Sequence, residues 1–564
     1  MAEPQSAAPL PRANRHTSLK QRRAGRRRTP WGVVAVLGVT VSLTARVIHR
    51  GPYVPGFDLL SAAQGTYNIA TQKTADLLAS VFANGFRTVG AWNVEGLPST
   101  LVPGLLTTLW PWEYWAHVVT FVATAAALAL LAHALRLGCR HGLLVVLGAG
   151  ASSAFLSFSV TGFFYMSAIL PHLLFLWAAM RARRRPLWAL AASVVAAWLA
   201  PHVQELGRTV WIDFAAGALL LPRTRITVRA MWLLLGAWLC WQSTIHHTFN
   251  TSHYAAMRLP PLHDCAARLN DLLGRLTTLQ IDTPGLLIAG ALALLLIRRA
   301  RFFWWAIVGA QLALLLLLAV NVGDVEGPNN VWPRRTLLLS FLLLAATATA
   351  YRERRTWRPV FIAILTAGML WQVADTLRSS LRPLDAHAMD RDYFPLPYVH
   401  NTIDYTVPFA LVDWSALIQA DVDTGRRVVL LYNLLAYDEN PTNPAGLLER
   451  LYLRLGHARF IDSVIVFGDD VVRWNRMPLR PMATLEAFVG GMDDREEWIV
   501  YAIAHPADRH PSWIAAQGFR TQTYTIMRAL ETRFVAESSL ELNDRIGRQL
   551  VRFTLVPRVD PVAD

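Results

Sequence analysis

Apolar runs long enough to cross a bilayer alternate with short arginine-rich connections over the first two thirds of the chain. A first apolar segment covers Trp31–Ile48. Ten more are expected at about Tyr114–Leu135, Gly142–Val160, Phe163–Met180, Leu187–Val203, Thr209–Leu221, Met231–Phe249, Pro284–Ile297, Phe302–Val322, Thr336–Ala350 and Pro359–Val373. Spans five, six and eight are short. Arginines cluster at Arg136–Arg140, Arg181–Arg185, Arg223–Arg229, Arg298–Arg301 and Arg352–Arg355, which places these connections on the cytoplasmic side. The pattern predicts an α-helical polytopic membrane protein with about eleven spans, its N-terminus inside and its C-terminus outside.

After Asp375 the pattern changes. Arg427–Tyr432, Ser463–Phe467 and Trp498–Ile503 are short apolar, β-rich runs, and helical patterns at Pro444–Leu455 and Pro481–Val489 lie between them. Strands alternating with helices predict an α/β unit with parallel strands, and Tyr524–Met527 and Gln549–Leu555 add strands that can pair antiparallel. Three regions follow: a basic tail at 1–30, a membrane domain at 31–375 with a first external loop at 49–112, and an extracytoplasmic α/β domain at 376–564. The tail is too polar to bury a core and is read as disordered. With no small-residue cleavage site after Ile48, the first span is read as an uncleaved anchor.

Composition agrees. The 564 residues are 54% hydrophobic and 16% charged, with mean hydropathy +0.31. Soluble domains carry roughly a quarter charged residues. The net charge of +15 does not imply nucleic acid, because the arginines follow the membrane topology. Only Lys20 and Lys73 are lysines. Cys139, Cys240 and Cys265 are far apart and fit no metal spacing, and the adjacent His246 and His247 point different ways on a helix.

The most informative polar stretch is His49-Arg50-Gly51-Pro52-Tyr53-Val54-Pro55-Gly56-Phe57-Asp58, directly after the first span. Two prolines and two glycines break the helix, and Asp58 follows just beyond the membrane surface. Only Glu3 among acidic residues precedes it. A fixed carboxylate there suits a general base, and Arg50 can pair a phosphate bidentately. An ordinary solvated loop acid has the same appearance. Ile69, Leu77, Leu78, Val81 and Phe82 recur at helical spacing, as in a helix lying on the outer surface.

Other candidates are His202, Glu205 and Arg208 between two short spans, which read equally as an ordinary external hairpin, and Asp324, Glu326, Arg334 and Arg335 in the expected external loop Gly323–Arg335. The two arginines depart from the positive-inside trend, which fits an anionic partner or a local pairing with Asp324 and Glu326. Asp213 falls within a span and is expected to face the bundle interior or a watery cavity. His172 lies in another span and reads as a satisfied core histidine. Tyr437–Pro444 follows the first strand, where open α/β sheets bind ligands. The same residues also read as an Asn/Pro turn with Asn443 capping a helix.

The span layout, with an acid in the first external loop, resembles the GT-C class of membrane glycosyltransferases over about residues 31–375. The resemblance implies transfer of a sugar from a polyprenyl-phosphate carrier to a glycan, lipid or protein acceptor outside the plasma membrane. It matches Asp58 to the catalytic acid. Many members have paired acids in that loop, whereas Phe57-Asp58-Leu59 holds one. Donor sugar, subfamily and any divalent cation stay open. The contrasting reading is a transporter, or an envelope-assembly partner whose external domain binds another component. A transporter is expected to show internal repeats, and no clear repeat is present.

Overall fold

The computed structural model describes residues 97–112, 115–160, 164–203, 205–222, 224–245, 284–326, 328–380, 414–431, 447–468, 479–481, 485–493, 496–504, 529–543 and 549–557, with a few isolated positions. The tail 1–30, the first span, Arg50, Asp58, the Leu77–Phe82 helix, His246, His247, Tyr437–Pro444 and Tyr524–Met527 lie outside the described residues.

The helical part contains α1 (Leu97–Leu109), α2 (Trp115–Ala134), α3 (Cys139–Gly150), α4 (Ser153–Val160), α5 (Ile169–Ala179), α6 (Pro186–Leu199), α7 (Val210–Leu220), α8 (Ile226–Ile245), α9 (Pro284–Leu296), α10 (Arg301–Glu326), α11 (Pro328–Glu353) and α12 (Arg358–Ser380). Among the described residues one segment, Arg355–Ala374, has the length and hydropathy of a full crossing. Shorter apolar stretches such as Val118–Ala134 and Arg301–Leu316 accompany it. Proline opens α6, α9 and α11, where the missing N–H has no helical partner to lose.

Three local expectations are corrected. The single span expected at Gly142–Val160 is two helices, because Ser152 Oγ accepts the Phe155 N–H at 3.4 Å and starts α4 as an N-cap. The expected loop Gly323–Arg335 is almost entirely helical, with α10 continuing to Glu326 and α11 opening at Pro328. Polarity there predicts a loop, but a proline at the first helical position favours the helix it opens. The stretch expected as a first external loop carries α1, a helix not anticipated there.

Helix α11 is the axis of the bundle. Every residue from Thr336 to Ala350 is buried, as expected of a helix that is apolar around most of its circumference and surrounded by others. Its polar exceptions satisfy themselves: the Thr347 and Thr349 hydroxyls donate to the Leu343 and Ala345 carbonyls at 2.8 and 2.9 Å. Helices α9 and α12 touch backbone to backbone, since a Cβ on Gly285 would stand 2.5 Å from Gly368 Cα. Glycine on both helices is what permits so close an approach.

The arginine-rich turns meet at one end. Arg181 donates to His133 Nε2 at 2.9 Å, and Arg352 to the Leu135 carbonyl at 2.6 Å. Arg354 donates to the Leu296 carbonyl at 2.8 Å, and Glu353 accepts the Arg298 N–H at 3.0 Å. The turns α2–α3, α5–α6, α9–α10 and α11–α12 are therefore joined.

The C-terminal part contains α13 (Trp414–Asp423), β1 (Arg427–Leu431), α14 (Leu447–Leu455), α15 (His457–Ser463), β2 (Val464–Gly468), β3 (Leu479–Pro481), α16 (Leu485–Gly491), β4 (Trp498–Ala504), β5 (Phe534–Asn543) and β6 (Gln549–Pro557). The sheet order is β3-β2-β1-β4-β6-β5. Strands β3, β2, β1 and β4 are parallel, with Val429 opposite both Ile465 and Val500, and β6 is antiparallel to β4 and β5. Val428, Val429 and Leu430 are all fully buried, as in a central parallel strand covered on both faces. The antiparallel partner of β6 is Phe534–Asn543, a strand the apolar pattern did not single out because it reads Phe-Val-Ala-Glu-Ser-Ser-Leu-Glu-Leu-Asn.

A carboxylate ties helix to sheet. Asp421 on α13 accepts from Arg552 Nε and Nη2 at 2.7 and 2.8 Å, from the Tyr501 hydroxyl at 2.7 Å and from Arg426 at 3.1 Å. Burial alone would push its carboxyl up; hydrogen bonds from Arg552, Tyr501 and Arg426, with the Arg552 charge, outweigh that and hold it below its ordinary range. Because the folded value is depressed, its contribution is complete above the unfolded value of about 3.9 and is lost as pH falls through the folded one. Pepsin cleavage within residues 498–557, normalised to a denatured substrate, is expected to rise as pH drops from about 4 to 2. In Asp421→Asn that rise is expected to flatten.

Candidate functional site

Helix α5 (Ile-Leu-Pro-His-Leu-Leu-Phe-Leu-Trp-Ala-Ala) is apolar but for His172, and α7 is apolar but for Asp213. Both residues stand near the start of their helices, and both are fully buried. The fold brings them together: His172 Nδ1 lies 2.6 Å from Asp213 Oδ2. The other ring nitrogen, Nε2, lies 3.2 Å from the Leu206 carbonyl oxygen. A carbonyl only accepts, so Nε2 carries a proton and donates. One further proton lies between Nδ1 and Oδ2, and wherever it sits the pair has no net charge. That neutrality is what makes the pair tolerable where both side chains are fully buried. Asp213 Oδ1 is buried and accepts no hydrogen bond among the described residues.

The carbonyl that His172 holds belongs to a short 3-10 turn, Glu205–Thr209, which joins a second turn, Ala200–His202, between α6 and α7. Thr209 also donates to the Leu206 carbonyl, at 2.6 Å, and its oxygen accepts from Gln311 Nε2 at 2.9 Å. Gln311 comes from α10. Three helices therefore fix one turn: α5 through His172, α7 through Asp213 and α10 through Gln311. Gly207 lets the turn pack this closely, since a Cβ there would fall 2.3 Å from Val203 Cγ2. Aromatic rings close the site below, with Phe175 against Phe214 at 5.0 Å and against Trp232 at 5.2 Å between ring centres.

Arg208 stands in this turn and is 9% exposed. The turn packs against a second one, Phe164–Ala168, which in turn packs on α1 of the first loop. Helix α5 separates that end from Arg181, so the Arg208 turn lies at the end of the bundle opposite the arginine-rich connections. The α14–α15 junction is also near α1: a Cβ on Gly456 would stand 3.3 Å from Pro111 Cγ.

The sequence candidates divide accordingly. Asp213 does face the interior, and His172 is a satisfied core histidine whose partner the sequence did not reveal. His202 and Glu205 are placed by backbone in the two turns. Asp324, Arg334 and Arg335 are placed by backbone on α10 and α11. The side chains of these five lie outside the described residues, as do Asp58 and Arg50 entirely. Thr209 and Gln311 were missed. Gln311 had a readable signal, being the one amide in the otherwise apolar stretch Phe302–Val320. Among the described residues no group of three histidine, cysteine or acidic side chains is placed to hold a metal.

No family model matches the chain, and no curated protein matches it. Among solved structures it is similar to the crystal structure of ArnT from Cupriavidus metallidurans bound to undecaprenyl phosphate. The identity is 11%, the match covers 92% of this chain and 97% of that one, and the TM-score is 0.47.

Proposed function

We propose that the chain is a multi-pass membrane glycosyltransferase that moves a sugar from a polyprenyl-phosphate carrier to an acceptor on the outer face of the plasma membrane. The observation that carries this reading is Arg208: an arginine enclosed in the bundle, packed through one turn against the first-loop helix, at the end away from the arginine-rich turns. An anion at that depth needs a cation beside it, and a guanidinium matches phosphate oxygens bidentately. In this mechanism Asp58 removes the proton from the acceptor hydroxyl. The freed oxygen attacks the anomeric carbon, the bond from that carbon to the phosphate oxygen breaks, and the carrier leaves as polyprenyl phosphate. Arg208 bears the charge that develops on the leaving phosphate. Arg50, Arg334 and Arg335 are further candidates for that cation, and Asp324, His202 and Glu205 for holding sugar or acceptor hydroxyls. The C-terminal sheet then lies outside the cytoplasm, beside the first loop.

The test compares binding of a polyprenyl phosphate and of the uncharged polyprenol to the full chain in detergent. The native protein is expected to prefer the phosphate, and Arg208→Gln is expected to lose about tenfold to a hundredfold of phosphate affinity, the worth of a charged hydrogen-bond pair. Equal affinity for the two lipids in the native protein overturns the reading.

A further inference from the structure

The cluster around His172 is too well enclosed to be spent on chemistry of its own. Both ring nitrogens are engaged, at 2.6 Å and 3.2 Å, so His172 is no free base. What the cluster does is converge on the turn Glu205–Thr209. We infer that His172, Asp213, Thr209 and Gln311 are positioning residues for Arg208, which set where its backbone stands so that headgroup recognition depends on three helices at once. This rests on the proposal that Arg208 meets the carrier phosphate.

The physical case is the direction of the bonds. The Leu206 carbonyl accepts two hydrogen bonds, from His172 Nε2 and from the Thr209 hydroxyl at 2.6 Å. It lies two residues before Arg208 and is pulled towards α5. Thr209 follows Arg208 directly and is held by Gln311 on α10 at 2.9 Å. Arg208 therefore has a fixed point on each side. A 3-10 turn has poorer hydrogen-bond geometry than an α-helix and seldom persists without support. Here the support is polar, buried and supplied by distant parts of the chain, 34 residues away for His172 and 102 for Gln311. Buried polar groups of this kind are costly to leave without partners, so losing one member of the network weakens the hold on the turn.

The experiment is a double-mutant cycle on the full chain, read as affinity for a polyprenyl phosphate and, in parallel, for polyprenol. Thr209→Val keeps the shape and removes the hydroxyl; Gln311→Leu removes the amide. Each is expected to weaken phosphate binding about tenfold and to leave polyprenol binding unchanged, with coupling of the size found between residues of one network. Thr209→Ser restores the hydroxyl and is expected to recover the affinity. In an Arg208→Gln background Thr209→Val is expected to have no further effect. Additive losses in that background, or equal losses for both lipids, reduce the cluster to ordinary packing and overturn the inference. Should Arg208→Gln itself leave phosphate affinity intact, the phosphate reading of Arg208 fails first and takes this inference with it. If Arg208→Gln weakens phosphate binding while Thr209→Val and Gln311→Leu do not, only the inference fails.

Discussion

Asp58→Asn is expected to lower sugar transfer by about a hundredfold to ten-thousandfold, the usual worth of a positioned base, while leaving insertion and fold intact. Asparagine keeps the size of the side chain and most of its hydrogen bonding, but it cannot take a proton from the acceptor hydroxyl at neutral pH. The rate is measured in membranes with the native donor pool, at matched expression, since a misfolded variant loses rate for another reason. Asp324→Asn is the comparison, and a much smaller loss is expected because no proton is assigned to Asp324. Normal transfer by Asp58→Asn, with transfer abolished by deletion of residues 385–564, would end the enzyme reading in favour of an assembly partner acting through its external part.

Asp213→Ala is expected to destabilise the bundle by about 3–5 kcal/mol, because it leaves His172 enclosed without its carboxylate. The readout is the midpoint of thermal unfolding in detergent. His172→Phe combined with Asp213→Leu replaces the pair with apolar groups of similar volume, and most of the stability is expected to return. A loss well under about 1 kcal/mol for Asp213→Ala would mean that water reaches the pair, and the closed network around Leu206 would not stand. The two experiments separate roles: Asp58→Asn changes rate at constant stability, and Asp213→Ala changes stability first.

Much of the helical layout is legible in one dimension. The expected segment Tyr114–Leu135 is α2 at Trp115–Ala134, and Pro284–Ile297 is α9 at Pro284–Leu296. Lipid and close helix packing both demand apolar surface over a whole turn, so a span announces itself as an uninterrupted run. Strands β1, β2 and β4 are legible for a related reason: a parallel strand buried on both faces is apolar at every position. Strand β5 is not, because it alternates and lies at the sheet edge, where one face stays polar. The break at Ser152 was decided by a single hydrogen bond and the start of α11 by a proline, which an apolar count does not weigh.

The sequence by itself marks the long apolar segments, the turns that carry arginine, and the place of Asp213 and His172 within apolar stretches. It could not show that those two residues meet. They are 41 positions apart on different helices, and their contact at 2.6 Å depends on how α5 and α7 pack around Phe175, Phe214 and Trp232. The same holds for Gln311, which reaches Thr209 across 102 residues. Hydrophobic periodicity records what each segment must hide from water or offer to lipid, one segment at a time. Pairing between polar groups on separate helices is specified only by the packing of the whole bundle, so the cluster around Arg208 was decided by the tertiary structure alone.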